Sequence, residues 1–189
     1  FDKLNRFIKK YYKNKILKGI IFLVAALLFF LLSFSLIEYF SRFNTNFRGV
    51  LFWGYILVNM IILIRFIVIP FFHLFKIGKV INYTDAAKII GKHFPEIDDK
   101  ILNILQLNEL SQKDSGLINA SIQQKTKSIQ TFSFSSVINF KENGKHLKWI
   151  GSLILIFFFF FFSGNQHIIT ESYARIIDYK NEYIPSAPF

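Results

Sequence analysis

Three apolar stretches constrain this chain more than anything else in it: 16–40, 50–75 and 149–165. The first has no charged residue between Lys18 and Glu38. About 20 mostly apolar residues are needed to cross a hydrocarbon core as a helix. A chain in lipid must satisfy its own backbone donors and acceptors, so each stretch is read as a helix and not as strands. The expected fold class is an all-α membrane protein, with three transmembrane helices and a small cytoplasmic helical domain between the second and the third.

Charge placement orients the spans. Among 189 residues there are 23 Lys and Arg against 12 Asp and Glu. Residues 1–19 hold Lys3, Arg6, Lys9, Lys10, Lys13, Lys15 and Lys18, with Asp2 as the one acid there. The segment 76–148 is also cation-rich, while the turn after the first span holds only Arg42 and Arg48. Cations concentrate on the cytoplasmic side of bacterial spans. The expectation is therefore a basic cytoplasmic segment at 1–15, a periplasmic loop at 41–49, a cytoplasmic domain at 76–148 and a periplasmic segment at 166–189. This pattern accounts for the basic charge without nucleic acid as a partner. The first apolar run is too long for a cleaved signal peptide, and no small-x-small site follows it before Glu38. The opening Phe1 and the ending Ile184-Pro185-Ser186-Ala187-Pro188-Phe189 suggest the front part of a longer protein.

The segment 1–15 is amphipathic: Leu4, Phe7, Ile8, Tyr11 and Tyr12 recur at helical spacing with cations between them. Such a helix either lies on the inner leaflet, with Lys9, Lys10 and Lys13 on anionic headgroups, or continues the first span as a stalk. In the second stretch, Arg65 and Asn59 stand among apolar residues. Arg65 either snorkels to the nearer interface or pairs with a carboxylate or lipid phosphate of a partner. Glu38, at the far end of its span, is a poor partner for it. Asn59 is expected to bond to a neighbouring helix. The third stretch carries six consecutive Phe, 157–162, and offers no polar stripe for an aqueous path. Trp149 beside Lys148 suits an interface.

Within 76–148 the apolar periodicity predicts three helices. Thr84 is the expected N-cap of the first, whose buried face holds Ala86, Ala87, Ile90 and Phe94. Pro95 interrupts the helix. The second begins behind Glu96, Asp98 and Asp99 and buries Ile97, Ile101, Ile104 and Leu105. Asp114 or Ser115 caps the third, which buries Leu117, Ile118, Ile122 and Ile129. A core of this size is marginal alone and should pack on the amphipathic N-terminus, the membrane surface or another subunit.

Catalytic signatures do not emerge from the residues. Cysteine is missing, which removes thiolate chemistry. His73, His93, His146 and His167 are scattered, and the His93-Phe94-Pro95-Glu96 order cannot sit on one helix. No phosphate-binding loop or zinc-protease motif occurs. No catalytic residue, metal site, cofactor or small-molecule substrate is expected.

The run Tyr83-Thr84-Asp85-Ala86-Ala87-Lys88-Ile89-Ile90-Gly91-Lys92-His93-Phe94-Pro95-Glu96-Ile97-Asp98-Asp99-Lys100-Ile101-Leu102-Asn103 resembles an uncharacterised bacterial membrane family, catalogued as domain of unknown function 4175. Its members place an alanine-rich helix, Pro-Glu and an Asp-Lys-Leu-Leu-Asn-like run between an early helical pair and a third span. The resemblance implies the inner membrane of a Gram-negative bacterium and supplies no catalytic residue. The expected function is a non-enzymatic anchor or scaffold that docks envelope proteins, as a partner complex or a homo-oligomer. The alternatives are a transporter or channel subunit and a transmembrane signalling element.

Overall fold

The computed structural model describes residues 1–78, 80–111 and 116–183, with 109–111 and 116–119 by backbone alone. Every regular element among them is helical. Eight α-helices run in chain order: α1 Asp2–Ser41, α2 Thr45–Leu63, α3 Ile69–Leu74, α4 Tyr83–His93, α5 Asp98–Ser111, α6 Gly116–Ile129, α7 Gly144–Phe162 and α8 Gln166–Ile177. Among the described residues three segments are long and apolar enough to cross a membrane: Asp2–Ser41, Thr45–Leu74 and Phe134–Phe162. The chain divides into two compact units, one of residues 1–14 and 70–140, the other of 15–69 and 141–189.

The first unit is built on the amphipathic start of α1. Phe7 is fully buried and Leu4, Ile8 and Tyr12 nearly so, in one core with Ala86, Ala87, Ile90, Ile97, Ile101, Leu105 and Ile129. The N-terminal stripe thus covers the helices that were too small to enclose a core alone. Tyr12 is buried without stranding its phenol, because the oxygen accepts a hydrogen bond from the Ile81 N–H at 3.0 Å. The stalk reading of 1–15 describes α1, which continues unbroken to Ser41.

Two local expectations need correction here. The N-cap of α4 is Asn82, whose Oδ1 accepts from the Asp85 N–H at 2.6 Å, and Thr84 lies inside the helix. Asn and Asp cap at least as well as Thr, so the earlier residue starts the helix. Phe94 is only half-buried: α4 ends before it, and its ring packs on Phe132 with centroids 5.5 Å apart. The caps expected at Asp114 and Ser115, and the side chains of Leu117 and Ile118, lie outside the described residues. Pro95 opens a 3₁₀ turn that ends at Ile97, and Asp98 and Asp99 then stand in the first turn of α5.

The second unit contains an antiparallel hairpin. The expected 41–49 loop is much shorter: only 42–44 are non-helical, because Asn44 caps α2 by accepting from the Phe47 N–H at 3.1 Å. Arg42, with φ of 44°, makes the left-handed turn that ends α1. At the other end of the hairpin the α2 ladder widens into a π-helical turn, Ile64–Val68, in which the Ile69 N–H reaches the Ile64 carbonyl. Its cause is local. Pro70 has no N–H for the carbonyl four residues earlier, that of Phe66, and its ring crowds that position. The freed carbonyl is met by α1. A Cβ on Gly19 would collide with the Phe66 oxygen, so only glycine's Hα fits there, in the arrangement of a Cα–H···O contact. Gly19→Val is expected to part the hairpin at this point, because the obstructing atom is backbone and cannot swing aside. Loss of a cysteine cross-link engineered across the α1–α2 seam would show it; undiminished cross-linking would contradict the contact.

α7 begins before the expected third stretch, at Gly144, and buries none of its side chains. Leu155 is 70% exposed and Phe161 51%, on different faces. A helix that is apolar all round is soluble only in lipid or against another apolar surface. The tail at 166–189 holds an amphipathic helix, α8, which buries Ile169, Ser172 and Ile176 and packs on α2 and α7.

Candidate functional site

The five residues singled out in the sequence do not converge within either unit. Arg65 lies in the π-helical turn and is exposed. Counting from Thr45 along a helix rising about 1.5 Å per residue, it stands about 30 Å from the hairpin turn, one hydrocarbon thickness away. That depth matches an interface and not mid-bilayer. Asn59 is buried, but its Nδ2 donates to the Tyr55 carbonyl of its own helix at 2.8 Å instead of crossing to a neighbour. One turn back along a helix is the nearest acceptor such a side chain can find. Its Oδ1 is left buried without a partner.

Lys9 and Lys13 are exposed, whereas Lys10 is taken up inside the first unit. Its Nζ donates to the Ser135 carbonyl at 2.7 Å and stands 5.4 Å from the Phe140 ring centroid. Lys3 likewise caps the Gln130 and Phe132 carbonyls. These two cations serve the turn after α6, and the Ser135 carbonyl also accepts from the Ile138 N–H at 3.3 Å.

The most developed polar site was not anticipated. Glu38, fully buried near the end of α1, receives the Arg48 Nε at 2.9 Å and the Phe43 N–H at 3.3 Å. The Arg175 Nε from α8 lies 3.9 Å from the same carboxylate oxygen. Arg48 also donates to the Asn181 carbonyl at 3.3 Å, and its guanidinium sits 5.1 Å from the Tyr183 ring centroid. Arg175 donates through its terminal nitrogen to Ser172 at 3.3 Å, while its Nε has no hydrogen-bond partner. Three segments therefore meet on one carboxylate: the end of α1, the start of α2 and the α8 region.

The surroundings extend this cluster. Tyr179 packs tilted against Phe52, ring centroids 5.3 Å apart, and a Cβ on Gly49 would press against the Tyr179 ring. Tyr183 donates to Asp178 at 3.1 Å. Its phenol is held above the ordinary value, first by partial burial and then by the Asp178 hydrogen bond and charge. It therefore keeps its proton, and its donor role, well above neutral pH. Below the cluster, Leu31, Phe34, Phe52, Tyr55, Tyr173 and Ile176 line an apolar crevice of about 260 Å³.

A buried carboxylate with two guanidinium partners can fix the position of helices. Among the described residues no three His, Asp or Glu side chains are grouped to hold a metal ion. The hairpin could have revealed half of the cluster in advance. A turn centred on Phe43 sets residue 38 opposite residue 48, so Glu38 and Arg48 face each other by symmetry. Arg175 carries no such signal. No protein-family model, curated protein or solved structure matches the chain.

Proposed function

We propose that this chain is a non-enzymatic anchor of the bacterial inner membrane, which fixes the segment after its third span against the first hairpin and docks partner proteins of the cell envelope. The carrying observation is the Glu38 carboxylate shared by Arg48 and Arg175, which clamps α8 to α1 and α2. An ion cluster of that kind is retained for specifying geometry more than for stability. The apolar circumference of α7 supports docking beside another membrane span or lipid. The cation distribution supports a cytoplasmic N-terminus, a cytoplasmic 76–148 and a periplasmic C-terminus. The likeness of 83–103 to the uncharacterised envelope family fits the same setting.

One experiment tests location and role together. Single cysteines at exposed Asn46, Asn103 and Lys180 are expected to react with an impermeant thiol reagent in spheroplasts at 46 and 180 only. Affinity purification of the tagged chain in mild detergent is expected to recover envelope proteins, and Glu38→Leu to reduce that recovery. Labelling at 103 with protection at 46 would invert the topology; recovery unchanged by Glu38→Leu would remove the clamp from the docking role.

A further inference from the structure

We infer that Lys18 and Arg65 together hold the phosphate of a phospholipid in the leaflet at the open end of the α1–α2 hairpin. The juxtaposition follows from the backbone. Gly19 meets the Phe66 carbonyl, so the residues beside them, Lys18 on α1 and Arg65 on the π-helical turn, lie at the same depth. Phe22 and Phe66 pack together at 5.1 Å immediately beneath this level. Both cations are exposed, and among the described residues neither has an ion-pair or hydrogen-bond partner.

No carboxylate of the hairpin can serve them. Residues 3–37 and 49–84 contain neither Asp nor Glu, and Glu38 is committed to Arg48 at the opposite end. Two unneutralised cations at a depth of one hydrocarbon thickness stand where lipid phosphates lie. Arg supplies a planar fork for phosphate oxygens and Lys a point charge on a flexible stem, so one phosphate can be gripped from both helices. The π-helical turn matters because it sets the Phe66 carbonyl against Gly19 and thereby brings the two cations level. The site rests on the hairpin spanning the membrane and not on the anchor role; loss of envelope partners would leave it standing.

The test is native mass spectrometry of the full chain in detergent, titrated separately with phosphatidylglycerol and with sodium phosphate. Phosphatidylglycerol should bind, more weakly as salt rises, and inorganic phosphate should not displace it. Each of Lys18→Gln and Arg65→Gln should weaken binding about fivefold, and the pair about 25-fold, from the usual worth of a cation near an anionic surface. The charge-keeping pair Lys18→Arg with Arg65→Lys should retain it, which separates charge from folding. Lys88→Gln with Lys92→Gln, both exposed on α4, should leave it within about twofold. Displacement by inorganic phosphate would make this a free-anion site and overturn the lipid assignment. Equal losses in the Lys88 and Lys92 control, or undiminished binding in the Lys18 and Arg65 double variant, would also overturn it.

Discussion

Glu38→Leu is expected to release α8 from the hairpin at a cost of roughly 3–5 kcal/mol, the penalty for stranding buried guanidinium groups. Arg48 is 4% exposed and would lose its strongest partner, while the Nε of Arg175 would lose its nearest carboxylate. Limited trypsin digestion in detergent reads the effect directly. Arg175 and Lys180 flank the end of α8, and cleavage there should accelerate in the variant. The matched double variant Glu38→Leu with Arg48→Met removes both members of the short pair and should recover much of the loss, since an apolar substitute no longer demands a counter-charge. Digestion at the parental rate in Glu38→Leu would show that α8 is held by Ile169, Ile176 and Tyr179 alone.

Phe7→Ala is expected to cost about 3–5 kcal/mol in the other unit, the usual range for emptying a fully enclosed aromatic site. Phe7 has no exposed surface and shares its core with Ala86, Ala87 and Ile90, so three small or branched neighbours cannot collapse into the space. Hydrogen exchange followed by mass spectrometry should show faster exchange through α4 and α5. Phe159→Ala, at a site 68% exposed on α7, should leave that exchange unchanged. Equal exchange in parent and Phe7→Ala would mean that α4 and α5 hold their fold without the N-terminal stripe.

Hydropathy made the spans legible, because a charge-free run of that length has few solutions in lipid or water. The periodicity of Leu4, Phe7, Ile8 and Tyr12 was equally plain, but its target was not. An apolar stripe reports that something covers it, and the sequence left membrane, neighbouring domain and second subunit open. The Ala86–Ile90 face likewise showed itself by spacing alone. Cap residues resolved less well, since Asn82 and Thr84 are both competent and lie two positions apart. Arg48 was hidden for a different reason: a cation in a short loop reads as a topology signal, and nothing in its neighbours marks it as buried. Arg175 depends on where α8 docks, a long-range fact with no local trace. The same holds for α8 itself, whose three buried positions are too few to stand out in a polar tail. Pro70 did carry a signal, the loss of a donor to Phe66, though the partner that answers it, Gly19, lies more than 40 residues away.

The hairpin is pinned near both ends, by Glu38 on Arg48 and by Gly19 on the Phe66 carbonyl. The two contacts share nearly one register, with residue numbers that sum to 86 and 85. Piston motion, in which one helix slides along its neighbour to carry a message across a bilayer, would have to shear both contacts at once. A displacement of one turn, about 5.4 Å, would set a side chain in place of Gly19 against the Phe66 oxygen and leave Arg48 without its carboxylate. The pair therefore behaves as a strut, and any signal that crosses it must travel as tilt or rotation of the two helices together.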